Sequence, residues 1–213
     1  MASLMEFFRK RLRSILKPNP VPAVQNLPPI PSDGVVQNVS GIFHITPDGT
    51  LTRFIASNET NPHERTVDEL IIPEGVIRIA SHALTDITVT RRIEFPQSLR
   101  AIGTELWEGA LYHCTLPDVF LPETVETATS YAFGGCQIRS LYLPQRFVFC
   151  GGRYLKHTRI GTLYLPEHDI GIPPSVPDCY VSLHEAVKAS MQVNNLEVDR
   201  LVYYAHGTTP PFD

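Results

Sequence analysis

Cysteine is scarce in this sequence, and its spacing excludes two common classes of small protein. The chain has four cysteines in 213 residues, and no two of them lie at the CxxC spacing typical of zinc and redox motifs. Four cysteines are also too few for a disulfide scaffold in a chain of this size. We therefore expect reduced thiols. The four are Cys114, Cys136, Cys150 and Cys179.

Long apolar runs and a large positive charge are lacking too. No run approaches the roughly 20 residues of a membrane-spanning helix, and the basic cluster at residues 9–13 interrupts the apolar region that a secretory signal needs. The formal net charge of −4 argues against a generally basic nucleic-acid surface. We expect a protein without a nucleic-acid partner that is cytoplasmic, or exported by a route without a classical signal peptide.

Motifs for catalysis and for cofactor binding are absent as well. His113 and Cys114 are the most tempting metal ligands, but no second pair follows at zinc spacing. The glycine pairs at 134–135 and 151–152 lack the lysine and the spacing of a phosphate-binding loop, so we interpret them as turns. No serine lies in a GxSxG context. The sequence predicts a protein that is not an enzyme and that uses no metal or cofactor.

What the sequence does have is a short apolar phrase that recurs and ends in proline. Successive prolines of this phrase lie 23, 26, 22 and 22 residues apart, a period typical of solenoids. Each unit can bury its apolar face only against its neighbours, which predicts a stack of coils. The five phrases occupy residues 70–73, 93–96, 119–122, 141–144 and 163–166.

Two further apolar pairs follow each of the first four phrases at matching distances, which predicts one shared register for the four copies. The first set of pairs is Val76 and Ile79, Leu99 and Ile102, Val125 and Ala128, and Phe147 and Cys150. The second set is Ala83-Leu84, Leu106-Trp107, Ala132-Phe133 and Tyr154-Leu155.

The segments that flank the repeats have different patterns. Residues 41–55 alternate between apolar and polar around a Pro-Asp-Gly turn, which predicts a β-hairpin. Ser182 and Glu185 have the spacing of a capping box, and residues 181–193 predict a helix. Residues 201–204 predict one more strand.

The N-terminal segment differs from the rest in its basic charge. Residues 4–17 have apolar side chains at helical spacing, with basic side chains on much of the remaining surface. This pattern predicts an amphipathic helix that docks to an anionic membrane surface or to a partner's groove, or else a solvated tail. Six prolines between residues 18 and 31 predict an extended tether. The candidate docking residues are Phe8, Arg9, Lys10, Leu12 and Arg13.

Three stretches of the chain, at residues 72–84, 95–107 and 121–144, resemble the BspA-like, or Treponema pallidum type, class of leucine-rich repeats. The third stretch is the most similar, because it has an aromatic turn at Tyr131, then Cys136, then a strand that ends at Pro144. The resemblance covers about residues 68–166. It implies a bacterial or protist protein that binds other macromolecules, and it implies no catalytic residue.

Together these features predict an α+β repeat solenoid: a short leucine-rich-repeat stack with an N-terminal hairpin cap, a C-terminal helix-strand cap, and an N-terminal amphipathic helix on a Pro-rich tether. Caps are expected because the terminal repeats of a solenoid otherwise expose apolar ends. The expected domains are residues 1–17 for the helix, 18–35 for the linker and 36–213 for the repeat domain. Within the repeat domain, caps at 36–67 and 167–213 enclose repeats at about 68–166.

Alternation along each strand places a second set of side chains on the outside of the sheet. If Leu141 and Leu143 point inward, Tyr142 points outward. Aromatic side chains at such positions are typical anchors of protein interfaces, although they can instead stack on each other or lie under the Pro-rich tether. The outward ladder is Ile71, Glu94, Phe120, Tyr142 and Tyr164, and its polar rim is Glu69, Arg92, Asp118, Ser140 and Thr162.

The sequence favours a non-catalytic module that binds a protein partner of unknown identity through this outward face. The predicted partner-binding residues are Ile71, Arg92, Glu94, Asp118, Phe120, Tyr142 and Tyr164. Two alternatives stay open: a structural subunit of a larger assembly anchored by its N-terminal helix, and an effector delivered without a classical signal peptide. The sequence makes no prediction about oligomeric state.

Overall fold

The protein is described here from a computed structural model. The residues that the structure describes are 30–57, 65–104, 108–168 and 180–205. The helix predicted at 4–17, the five candidate docking residues on it and most of the linker predicted at 18–35 lie outside the described residues. Cys179 and Trp107 lie outside them as well.

The described residues form fourteen β-strands and one α-helix. The strands are β1 (Val35–Asn38), β2 (Gly41–Ile45), β3 (Thr50–Ala56), β4 (Arg65–Ile71), β5 (Arg78–Ile79), β6 (Ile87–Glu94), β7 (Ala101–Ile102), β8 (Thr115–Phe120), β9 (Thr127–Thr129), β10 (Gln137–Tyr142), β11 (Val148–Cys150), β12 (Arg159–Pro166), β13 (Tyr180–Val181) and β14 (Glu197–Tyr204). The helix is α1 (Leu183–Val193).

The strands form two sheets that enclose the core between them. The long-strand sheet has the order β4, β6, β8, β10, β12 and β14, with every neighbouring pair parallel. The short-strand sheet has the order β1, β2, β3, β5, β7, β9, β11 and β13. Four successive coils, from β4 to β11, each contribute one long strand and one short strand. The predicted repeat solenoid is confirmed, and it is a β-solenoid with a single described helix.

Equivalent residues of successive coils stack directly on each other. Leu141 of β10 lies beside Val119 of β8 on one side and Leu163 of β12 on the other, and all three side chains are fully buried. The alternation read from the sequence therefore identified the inward positions of these strands correctly. Burying these residues is the main source of stability, at roughly 1.5–3 kcal/mol for each large aliphatic side chain.

The second coil departs from the predicted register. The backbone N–H of Leu84 donates to the carbonyl of Ala110, and that of Leu111 donates to the carbonyl of Ala132. Ala110 and Leu111, both fully buried, therefore take the place that was predicted for Leu106-Trp107. The extra residues in this coil precede the buried pair, which explains the 26-residue spacing of its proline.

The fourth coil departs from the predicted register by one residue. Phe149, not Cys150, lies beside Ala128, and Cys150 lies beside Thr129. Ala128 in turn continues the column of Ile79 and Ile102. The prediction that Cys150 belongs to this column was wrong, because this coil has one residue fewer between its first buried aromatic and the short strand. Cys150 is nevertheless fully buried.

The predicted hairpin is present at the N-terminal end of the stack. β2 and β3 pair antiparallel, and β3 continues the short-strand sheet by pairing parallel to β5. Phe43 and Phe54 pack with their ring centroids 4.7 Å apart, and both are buried. Gly41 has a φ of +150°, and a Cβ there would lie 2.0 Å from the carbonyl oxygen of Ile55, so this position requires glycine.

The predicted helix is present at the C-terminal end, but it begins at Leu183, two residues later than expected. Ser182 is the N-cap residue, yet its side chain makes no capping hydrogen bond, so the predicted capping box does not form. Ser190 instead ties the helix to the stack, because its buried hydroxyl donates to the carbonyl of Tyr154 at 2.6 Å. That the hairpin and the helix act as caps stays a prediction.

Candidate functional site

Two parallel rows of side chains cross the outer face of the long-strand sheet, the face that points away from the core. Strand register aligns Glu69 with Arg92 and aligns Ser140 with Asp118 and Thr162. It also aligns Ile71 with Glu94, and Tyr142 with Phe120 and Tyr164. The charged row is Glu69, Arg92, Asp118, Ser140, Thr162 and Arg200. The aromatic row is Ile71, Glu94, Phe120, Tyr142, Tyr164 and Val202.

At the N-terminal end of the outer face, the charges form a small network. Arg92 lies between two carboxylates, 3.4 Å from Glu69 and 3.0 Å from Glu94. Arg91 pairs with Glu69 at 2.8 Å. Arg91, Arg92 and Glu94 are each about half exposed or more. Because these side chains are exposed, their charges are accessible to a partner. Exposed pairs of this kind contribute little to stability, about 0–1 kcal/mol each.

In the middle of the face, Asp118 makes a bidentate ion pair with Arg139. The Nε and a terminal nitrogen of Arg139 donate to the two carboxylate oxygens of Asp118 at 2.8 and 2.5 Å. These hydrogen bonds hold the pKa of Asp118 below its usual range and raise the pKa of Arg139. Asp118 therefore stays ionised at neutral pH, and its orientation is fixed by the planar guanidinium.

The aromatic row differs from the prediction at Tyr142. Phe120 and Tyr164 are half-buried, but Tyr142 is only 8% exposed, so the expectation of an exposed anchor was wrong there. Tyr204 covers it, with the two ring centroids 4.8 Å apart. Phe120 stacks against the other side of Tyr142 at 6.5 Å. The ring of Tyr142 is thus packed against both Tyr204 and Phe120.

Both buried phenols have hydrogen-bond partners. The hydroxyl of Tyr142 donates to the carboxylate of Glu123, and that of Tyr204 donates to the carbonyl of Leu143 at 2.8 Å. Burial raises the pKa of Tyr142 far above its ordinary value, and the Glu123 carboxylate adds to the effect. Burial also raises the pKa of Tyr204 to about 12. Both groups are therefore neutral donors at physiological pH.

Sequence reasoning missed three residues of the site. Arg139 lies between Ile138 and Leu141, where two residues instead of one separate the inward positions, so strict alternation did not place it. Tyr204 belongs to the last strand and reaches Leu143 across 61 residues of sequence, a contact that no local pattern reveals. Glu123, in the turn after Pro122, carried no signal.

The buried thiols have a structural explanation. The Sγ of Cys114 donates to the carbonyl of Leu84 at 2.9 Å, and that of Cys136 donates to the carbonyl of Leu111 at 2.7 Å. Burial raises the pKa of the Cys136 thiol, so the reactive thiolate is disfavoured. Both cysteines satisfy carbonyl groups at the same turn of successive coils.

The described residues hold no candidate cluster of metal ligands and no candidate membrane-spanning helix. In the parts of the chain that the structure describes, no three side chains of the His, Cys, Asp and Glu types cluster in a way that could hold a metal ion. His113 is exposed, stacks on Tyr112 and lies 3.7 Å from Asp86. No helix among the described residues has the length and apolar character needed to cross a membrane.

The repeat pattern matches a known family. The model of the BspA-type leucine-rich repeat region matches residues 63–176, with six copies. The chain belongs to the BspA-type leucine-rich repeat family. The match begins two residues before β4 and extends beyond the last phrase, so the BspA-type repeats cover slightly more of the chain than the predicted residues 68–166. No curated protein and no solved structure matches the chain.

Proposed function

We propose that this BspA-type leucine-rich repeat protein is a non-catalytic interaction module that binds a protein partner through the outer face of its long-strand sheet. The observation that supports this function is the adjacency of the two rows: half-buried aromatic side chains lie beside ion pairs that keep exposed charges. Aromatic anchors with a charged rim are typical of protein interfaces. The leucine-rich repeat family is generally non-catalytic, which agrees with this choice.

Phe120 and Tyr164 are the proposed anchors, and Tyr142 holds them in place from between. Tyr142 lies between the two anchors in strand register, and its ring packs against that of Phe120. Little conformational entropy is then lost when a partner covers them. Ile71 extends the apolar surface at the N-terminal end of the same row.

Arg92, Glu94 and Asp118 are the proposed polar contacts. Arg92 has carboxylates on two sides and Asp118 is held by Arg139, so each charge is presented in a fixed place. Fixed charges of both signs set the orientation of a partner and affect the association rate more than the affinity. A mixed rim suits a protein better than a nucleic acid, whose phosphates require a basic surface.

The size of the face limits the area that a partner can cover. Six strands about 4.8 Å apart and up to about eight residues long give a face of roughly 24 by 26 Å, on the order of 600 Å². Standard interfaces bury about 800 Å² on each partner. A single copy therefore offers somewhat less area than a standard interface buries.

The experiment compares two double variants of the full chain as baits in lysate of the source organism. One variant is F120A/Y164A, which truncates the anchors and leaves Tyr142 intact. The matched control is E126A/R146A, which removes exposed side chains beside the short-strand sheet. Melting temperatures of both variants are compared with the wild type first, so that a folding defect is recognised.

We expect the wild type and the control to retain the same partner and the anchor variant to lose it, with at least tenfold weaker binding when the purified partner is titrated. Equal retention by a folded anchor variant would overturn the proposed site. The assembly and delivery hypotheses depend on residues 1–35, most of which lie outside the described residues, and they stay predictions.

A further inference from the structure

The exposed large apolar side chains of the described residues are concentrated at one end of the stack. Met191 and Val193 of α1 are 40% and 73% exposed, and Leu201 and Tyr203 of β14 are 37% and 54% exposed. Val39, in the turn between β1 and β2, is the fifth. Apolar side chains that are grouped in this way mark an interaction surface more often than scattered ones do.

Leu201 and Tyr203 occupy core positions of the repeat. Leu201 lies beside Leu163, and Tyr203 lies beside Leu165. Leu163 and Leu165 are buried, because the coils on both sides cover them. On β14 the same inward positions have no following coil among the described residues, so the stack presents an open inner surface at its C-terminal end.

Within the part of the chain that the structure describes, the backbone of β14 is open on one side. It pairs with β12 on one side and forms the edge of the long-strand sheet. The opposite edge is protected: at β4, the N–H of Ile71 donates to the hydroxyl of Ser40 and its carbonyl accepts from the side chain of Asn38, both at 2.8 Å. A long, open edge strand with apolar neighbours is a template for another strand.

We propose that this edge binds a second copy of the chain, with β14 pairing antiparallel to the partner's β14 about a two-fold axis. The reason is that β14 is self-complementary in one register. When the axis lies between Asp199 and Arg200, Asp199 of each copy lies opposite Arg200 of the other copy. Val198 then faces Leu201, and both belong to the inner face.

Neighbouring registers lack this complementarity. Shifting the axis onto Arg200 makes two arginines face each other, and shifting it onto Asp199 makes two carboxylates face each other. Opposite charges directly across a strand pair are stabilising and like charges are destabilising. Asp199 has an exposed carboxylate 3.7 Å from Arg159, which leaves it accessible to a second guanidinium. Charge therefore favours the register in which the axis lies between Asp199 and Arg200.

The dimer would join the two long-strand sheets into one of twelve strands. A two-fold axis perpendicular to the sheet keeps both outer faces on the same side, so the two candidate binding faces would become continuous. The combined face would measure on the order of 1,200 Å². The dimerisation itself does not depend on the proposed function of that face.

The experiment measures the mass of the full chain by light scattering after size-exclusion chromatography at about 100 μM, a hundred times a micromolar Kd. We expect twice the monomer mass of 23.8 kDa. Both D199R and R200D should be monomeric, because each places like charges opposite each other. The double variant D199R/R200D restores opposite charges and should dimerise again.

A mixing experiment makes the test specific. D199R mixed with R200D should form a heterodimer, although each is monomeric alone, because every facing pair then has opposite charges. The control R159A removes the ion pair of Asp199 within the chain and should leave the dimer intact. A wild-type monomer at this concentration, or a dimer that both single variants retain, would overturn the proposal.

Discussion

At the scale of single residues, the repeat depends on a column of left-handed turn positions. Each residue of the column has a positive φ, and the N–H of each of the first four donates to a carbonyl of the next coil. Polar residues tolerate this conformation at moderate cost, and glycine adopts it freely. The column is Asp86, His113, Gly135, His157 and Asn195.

A substitution at Gly135 tests this column directly, because an added side chain there would meet the ring of His113. Its φ is +67°, and a Cβ there would lie 2.2 Å from the ring of His113. We expect G135A to lower the free energy of unfolding by about 1–2 kcal/mol from backbone strain, with a further cost for displacing His113. Urea denaturation followed by circular dichroism measures the change.

Gly152 is the matched control for Gly135. A Cβ at Gly152 would meet nothing within 4 Å, and its φ is not in the left-handed region. We expect G152A to leave the free energy of unfolding unchanged within about 0.5 kcal/mol or to raise it slightly. Equal effects of the two substitutions would contradict the assignment of Gly135 to a strained turn column.

The buried tyrosines predict a loss of stability at high pH. In the unfolded chain a tyrosine titrates near pH 10, whereas burial raises the pKa of Tyr204 to about 12. Between these values the unfolded state releases a proton that the folded state keeps, so the contribution of Tyr204 to stability is present below pH 10 and falls as the pH rises towards 12.

The comparison of wild type with Y204F isolates this contribution. At pH 7 we expect the variant to be less stable by about 0.5–1.5 kcal/mol, because the hydroxyl no longer donates to the carbonyl of Leu143. Between pH 9 and 11 the free energy of unfolding, measured by urea titration, should fall less steeply for the variant. Identical slopes would show that Tyr204 titrates normally in the fold.

At the scale of elements, the sequence predicted which positions of a strand point inward. It did not predict the alignments that depend on how many residues lie between strands. Alternation within a strand identified the inward Leu141 and Leu163, because both faces of a strand follow from its two-residue period. The pairs Leu106-Trp107 and Phe147-Cys150 were misaligned, because extra or missing residues between strands shift every later position. Only the contacts between coils reveal where such residues lie.

The same limit applies to the candidate site. The sequence aligned Ser140 with Asp118 and Thr162, and Tyr142 with Phe120 and Tyr164, as the strand register does, but it predicted an exposed Tyr142. Its burial depends on Tyr204, whose strand belongs to a segment with no repeat pattern. The ion pair of Arg139 with Asp118 depends on a departure from strict alternation in β10. Both features require the three-dimensional contacts.

The hairpin offers a test of the capping prediction. If it caps the stack, F43A should destabilise every coil, because each coil of a solenoid is stabilised by its neighbours. We expect a loss of about 3–5 kcal/mol and faster amide exchange as far away as β10. The control V39A changes an exposed side chain and should have little effect. Faster exchange in the hairpin alone would contradict a capping role.

At the scale of the whole molecule, the two ends and the outer face of the solenoid differ in what they present. Asn38 and Ser40 cover the N-terminal edge strand, and the C-terminal edge strand has no further strand beside it among residues 30–57, 65–104, 108–168 and 180–205. The outer face has both the aromatic and the charged row. A stack of this kind has a repetitive core, so the differences between its surfaces determine what it binds. The family and the solenoid were predictable from the repeat, whereas the partner depends on these surfaces.

The most direct test of binding by the outer face is site-specific photo-cross-linking. A photoreactive amino acid replaces Thr162, in the charged row, or Glu126, beside the short-strand sheet, in the full chain. Irradiation in lysate of the source organism should give a discrete adduct with one partner from position 162 and none from position 126. Adducts of equal yield from both positions, or an adduct from position 126 alone, would contradict binding through the outer face.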